Sequence, residues 1–140
     1  MPLAPGAETV STDGKLHGRS RLSDDPVLHR EVRDFTLWPN LFLSLQPDYL
    51  LTYAVWPVAP GLTRVEHACL FHPQSFALGG LDAADVFDFW DQTNAEDGSV
   101  CERQQLGLTS PGYRGGRYAW LEDGVQRFDA FAAARYLRWL

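Results

Sequence analysis

At 140 residues, with 45% hydrophobic and 13% aromatic side chains, the chain is long enough to bury one core and too short for two independent domains. A formal charge of -6, with the 12 Lys and Arg scattered, argues against a nucleic-acid partner. No apolar run approaches the ~20 residues that span a bilayer, and "MPLAPGAETV" lacks the order of a secretory leader, so a cytoplasmic protein with no membrane contact and with Cys69 and Cys101 as reduced thiols is expected.

Residues 1–34 are rich in Gly, Pro, Ser and charge and show neither strand nor helix periodicity, which predicts an extended or poorly ordered lead-in to a folded portion over 35–140. From Phe35 the run "DFTLWPNLFLSLQPDYLLTYAVWPVAPGLTRVEHACLFHP" is dense in β-branched, leucine and aromatic residues and is cut by Pro and Gly, the pattern of a strand meander. Leu41, Leu43 and Leu45 share one face of the first strand. Residues 49–56 and 63–71 form a hairpin across "PVAPGL", with Pro60-Gly61 as the turn. In the last strand Arg64 and Glu66 point one way and Val65, His67, Cys69 and Phe71 the other, so one face is core and one partly wet.

After "GGL" the spacing becomes helical. Asp82 is placed to cap a helix whose first turns carry Asp85 and Asp88 at the positive end; it should run to Gln105 and stop at Gly107. "TSPGYRGGRYAWLEDG" reads as a loop, and "VQRFDAFAAARYLRWL" closes the chain with Val125, Phe128, Ala132 and Tyr136 on one helical face. The fold class is α+β: an antiparallel sheet with two covering helices.

The first helix carries an unusual stripe. Stepping three and four residues at a time from Phe87 gives Trp90, Asn94, Asp97, Cys101 and Gln104, apolar at first and polar from Asn94 on. One reading is a solvated face rotating inward. The other is that Asp97 points into a cavity and holds a metal or a proton. Gly98 beside it costs about 1 kcal/mol relative to Ala in a helix, which makes sense where something must approach the backbone. The aromatics Phe89, Trp90 and Phe128 shape a pocket or, as is commoner, pack in the core, and Cys101 is read in the same way.

"WPN", "PVAPGLTRVE", "EDGSVCERQQLG" and "EDGVQRFDAF", in this order over roughly 35–131, resemble the end of the catalytic domain of Rieske non-haem iron oxygenases, the ring-hydroxylating oxygenase large subunits. The resemblance implies a partial helix-grip-like (START-like) catalytic domain and makes Asp97 the carboxylate of a two-histidine, one-carboxylate triad on mononuclear Fe(2+). Asn94, Gln104, Trp90 and Cys101 then stand behind that ligand or line the pocket.

The family's [2Fe-2S] cluster is held by Cys-x-His and Cys-x-x-His pairs in a separate N-terminal domain, and this sequence lacks the first of them, having only Cys69 and His72 at Cys-x-x-His spacing. Its iron histidines come from an Asp-x-x-His-x-x-x-x-His element. His67 and His72 have that spacing, but Arg64 replaces the Asp, and on a strand the two point to opposite faces. His67 is therefore expected to be a packed sheet residue, and His17 and His29 surface residues. No metal bound tightly to this chain alone is expected.

The implied function is that of a large-subunit fragment of an oxygenase that hydroxylates or demethylates a small organic, often aromatic, substrate with O2. Its electrons come from NAD(P)H through a reductase or ferredoxin. The resemblance also implies a homo-oligomer, a trimer, or else a complementing chain. The alternative is a non-catalytic apolar-ligand or structural partner module of the same fold.

Overall fold

The computed structural model describes residues 1–77 and 81–138; the expected Gly79-Gly80 break and the last two residues of the closing helix lie outside them. Two units are present, Met1–Arg103 and Gln104–Leu140.

The first unit is built on a four-stranded antiparallel sheet in the order β1-β2-β3-β4, with β1 at Arg33–Leu37, β2 at Leu41–Leu45, β3 at Tyr49–Ala59 and β4 at Leu62–Phe71. β1 starts ahead of the expected boundary, because Arg33 and Asp34 pair with Leu45 and Ser44. The β3–β4 hairpin is longer than its expected spans and turns at Pro60-Gly61. Gly61 sits at φ 78°, the left-handed position that the turn requires after a Pro with its fixed φ.

Register decides which side chains share a face. Tyr49, Leu51 and Tyr53 on β3 lie opposite Phe71, Cys69 and His67 on β4, and this face receives the first helix, α1, Ala84–Leu108. Tyr49, Leu51 and Val86 of α1 are fully buried, with Tyr53, Cys69, Phe71 and Trp90 packed against them. The other face is open to solvent, as Arg64 and Glu66 had suggested, but it is largely apolar. It carries Phe35, Leu37, Leu41, Leu43, Leu45, Leu50 and Leu70, and the two charges lie only toward its turn end.

α1 begins after Asp82, whose carboxylate takes the Ala84 N–H at a long 3.4 Å. It runs through Gly107 to Leu108, beyond the expected stop. Gly107 adopts helical geometry without strain, and the end is closed when the Thr109 hydroxyl donates to the Leu106 carbonyl at 2.8 Å.

Residues 1–32 form an irregular but anchored lead-in. They hold no regular element beyond a Pro2–Glu31 bridge, yet Thr9, Ser11, Arg19 and Val32 are buried. The segment is tied down by Val32 N–H to the Met1 carbonyl at 2.7 Å, Leu22 N–H to the Pro47 carbonyl at 2.9 Å and Thr12 N–H to the Asp85 carbonyl at 3.2 Å. Isolated polar anchors hold it, and such anchors leave no periodic trace in a sequence.

In the second unit a 3-10 turn at Trp120–Glu122 leads into α2, Asp123–Tyr136. Val125, Phe128 and Tyr136 of its expected apolar face are 54%, 38% and 75% exposed. No helix of the described residues is long and apolar enough to cross a membrane.

Candidate functional site

The stripe on α1 divides at Asn94. Val86 is buried and Phe89, Trp90, Thr93 and Asn94 are half-buried, whereas every residue from 95 to 108 is exposed. Trp90 belongs to the packed part: its indole N–H donates to the Tyr49 hydroxyl at 2.7 Å, and that hydroxyl donates to the Val10 carbonyl at 2.7 Å. Burial pushes the Tyr49 pKa far above the usual phenol range. Trp90 is thus a core residue that ties helix, sheet and N-terminal segment together.

Asn94 is where packing ends. The Tyr53 hydroxyl donates to Asn94 Oδ1 at 2.8 Å, while Asn94 Nδ2 is buried and has no hydrogen-bond partner among the described residues. One turn on, Asp97 is exposed and makes no hydrogen bond or ion pair among the described residues. Burial raises the Tyr53 pKa against the opposing bond to Asn94, and the charge of Asp97 adds to the rise, so carboxylate and phenol are within electrostatic reach. Around Gly98 nothing lies within 4 Å of where a Cβ would stand.

Gln104 and Cys101 are both exposed, so Cys101 is not a core residue of this chain. Phe89 packs edge-on against Trp90, with ring centroids 5.1 Å apart. Cys69 is the packed thiol, pushed up to about 11 by burial and then by the nearby charges of Asp48 and Asp91, and so is held as an inert SH at neutral pH.

His67 and His72 do separate jobs. His67 stacks on Tyr53, its cross-strand partner, with centroids 5.9 Å apart, and His72 Nδ1 accepts the Gln74 N–H at 3.2 Å to cap the 3-10 turn Pro73–Phe76. His29 bonds the Ser23 carbonyl at 2.7 Å, and exposed His17 lies 2.9 Å from Asp13. Asp13, His17 and Asp85 could offer three ligand atoms within 4.8 Å of one another. However, Arg19 holds both Asp85 oxygens, at 2.7 and 2.9 Å, so a guanidinium already neutralises that carboxylate and a metal ion would have to displace it.

Two residues escaped the sequence reading. Tyr53 follows Tyr49 and Leu51 at strand spacing toward α1, a signal that was available. Arg19 gave none, since its acidic partners Asp48 and Asp85 lie 29 and 66 residues away.

The resemblance calls for a mononuclear iron centre of two histidines and one carboxylate, and Asp97 is the carboxylate to be weighed against it. Asp97 is a free carboxylate beside a buried amide that lacks a partner, which suits a contributed ligand. It does not belong to the three-membered group found among the described residues, so the described residues do not assemble a complete centre.

An antiparallel meander closed on one face by a long helix defines an α+β fold. Over residues 1–138 the chain matches the family described as ring hydroxylating alpha subunit (catalytic domain), and it belongs to that family. It is similar to the glycine betaine monooxygenase oxygenase subunit of Pseudomonas aeruginosa (strain UCBPP-PA14), 30% identical over 98% of this chain and 32% of the relative. It is also similar to the protein of the same name from Chromohalobacter salexigens, 22% identical over 97% of this chain and 34% of the relative. The chain therefore spans about a third of the length of the curated relatives it matches.

Proposed function

We propose that the chain is the C-terminal part of the catalytic domain of an oxygenase large subunit, and that Asp97 is the carboxylate it contributes to mononuclear Fe(2+). The observation that carries this reading is the unpaired, exposed Asp97 within "EDGSVCERQQLG", on the turn of α1 where packing on the sheet stops. When bound, the iron supplies reductive activation of dioxygen, with electrons delivered from NAD(P)H through a reductase or ferredoxin and a [2Fe-2S] cluster outside this chain. The chain's own part is to hold the ligand helix on the sheet through Val86, Trp90 and Asn94. The relatives' name favours monooxygenation, and a small N-methylated amine rather than an aromatic ring is the leading substrate class. Histidine ligands then come from polypeptide beyond these residues or from a partner copy.

The test compares two proteins. The 140-residue chain alone should bind Fe(2+) no better than a surface carboxylate, and should support no NADH-coupled oxygen uptake with a reductase. In the complete subunit carrying this segment, Asp97→Ala should empty the iron site and abolish turnover while changing stability by no more than about 0.5 kcal/mol, as expected of an exposed side chain. Stoichiometric iron and full turnover in that variant return Asp97 to an ordinary solvated face. Tight iron in the isolated chain, lost in His67→Ala, overturns the assignment from the other side.

Gly98 offers an independent check. Because a Cβ there meets nothing within 4 Å, Gly98→Ala should stabilise the isolated chain by about 1 kcal/mol. In the complete subunit it should lower turnover by crowding whatever approaches the helix. Higher stability together with unchanged turnover leaves Gly98 without a role.

A further inference from the structure

We propose that Tyr53 and Asn94 are positioning residues for Asp97: the Tyr53 hydroxyl fixes the Asn94 amide so that its N–H end is held for the Asp97 carboxylate, one helical turn away, when that carboxylate binds iron. The inference rests on Asp97 as a metal ligand and goes beyond it to what orients that ligand.

Two complementary groups lack partners. Asn94 Nδ2 is a buried donor with no acceptor, and Asp97 is an acceptor with no donor among the described residues. They are three residues apart on α1, a spacing that puts side chains on one face. Buried amide donors without partners are rare because they lose water and gain nothing, so the unpartnered Asn94 Nδ2, at the last packed position of the helix face, calls for an acceptor. Asp97 itself is exposed. Were Asp97 to hold the metal, the Asn94 N–H, one turn away on the same helix face, would be the donor available to orient its carboxylate.

The Tyr53 bond at 2.8 Å decides which end of the amide is free. Tyr53 is in turn held by the stacked His67 ring and by its strand pairing to Phe42 and His67. This gives His67 a supporting place in the site without ligating anything. Hydrogen bonds to a ligating carboxylate tune both its orientation and its hold on the metal, and losing them weakens metal binding by roughly 10- to 100-fold.

The test uses the complete subunit carrying this segment and the double variant Tyr53→Phe/Asn94→Leu, which keeps both shapes and removes only the polar pair. Iron affinity is read by competition with a ferrous chelator, and the thermal midpoint is read on the iron-free protein. The expected result has opposite signs: iron held roughly 10- to 100-fold more weakly, with the iron-free midpoint unchanged or raised, because a buried unpaired donor has been removed. If iron affinity and midpoint fall together, the pair is a packing contact and the proposal fails. Iron affinity unchanged in the double variant but lost in Asp97→Ala also defeats the positioning role, while leaving Asp97 as the ligand. Iron retained in Asp97→Ala removes the ligand reading and this inference with it.

Discussion

Replacing Arg19 by Leu is expected to cost the first unit about 3–5 kcal/mol, enough to unfold a domain whose total stability lies in the ordinary range of about 5–15 kcal/mol. The Arg19 side chain is 1% exposed and its partner Asp48 is 0% exposed. Nε donates to Asp48 at 2.7 Å. One terminal nitrogen serves the Asp82 carbonyl at 3.0 Å and Asp85 at 2.7 Å, and the other serves Asp85 at 2.9 Å and the Lys15 carbonyl at 2.9 Å. The Thr9 hydroxyl also donates to Asp48. One guanidinium thus fastens the N-terminal segment, the β2–β3 turn and the start of α1, the helix that carries Asp97.

Removing it strands Asp48 as a buried charge without its counter-ion, which costs far more than the pair itself contributes. Arg19→Leu combined with Asp48→Leu should therefore recover part of the loss. Arg19→Lys should not, because an ammonium lacks the planar fork that reaches four acidic and carbonyl partners at once. Urea titration followed by circular dichroism checks all three. An unfolding free energy for Arg19→Leu within about 1 kcal/mol of the parent, against the ~3–5 expected, would show that the N-terminal segment is not held through this residue.

The same node sets the acid limb of stability. Burial works against ionising Asp85, but the hydrogen bonds and charge of Arg19 outweigh it and hold the carboxyl below its ordinary 3.8. A lowered folded pKa means that the contribution is fully present above the unfolded value and is lost as pH falls through the folded one. Acid unfolding of the parent should thus draw on Asp85 only below 3.8. In Arg19→Leu that protection disappears, and the remaining stability should begin to respond to Asp85 at higher pH.

The elements legible in the sequence are those whose cause is local. The hairpin could be read from Pro60-Gly61 because only a few residue pairs satisfy that turn, and α1 from the stride of Phe87, Trp90 and Asn94. The tethering of residues 1–32 could not be read, because Arg19 meets partners far along the chain and polar anchors have no period. The polar half of the α1 stripe stayed ambiguous for a different reason. Spacing says which side chains share a helix face, but not where the sheet beneath that face ends, and here it ends at Asn94. Likewise Arg64 and Glu66 marked the second face as partly wet, in agreement with its exposure, but how apolar that face is needs the register that brings Leu50 and Leu70 beside the leucines of β2.

That second face leads to the other large effect: the isolated chain is expected to self-associate and to bind a dye specific for exposed apolar surface. Phe35, Leu37 and Leu70 on it are 49%, 51% and 53% exposed, and they flank the half-buried Leu41, Leu43, Leu45 and Leu50. Apolar arrays of this kind on a folded protein mark surfaces that meet another polypeptide. β1 and β4 are also the sheet's two edges, and each presents unpaired backbone groups along one side that favour pairing with a further strand. Leu43→Lys combined with Leu50→Lys should convert the assemblies to monomer and cut dye fluorescence severalfold, with little loss of secondary structure, since the new charges would stand in water. Light scattering and sedimentation velocity read the first effect and fluorescence the second. If the unmodified chain is instead a clean monomer that melts sharply and binds no dye, the face is covered within these residues. In that case the double lysine substitution should unfold the sheet, because two charges would be forced into its packed interior, and the chain would stand as a small domain complete in itself.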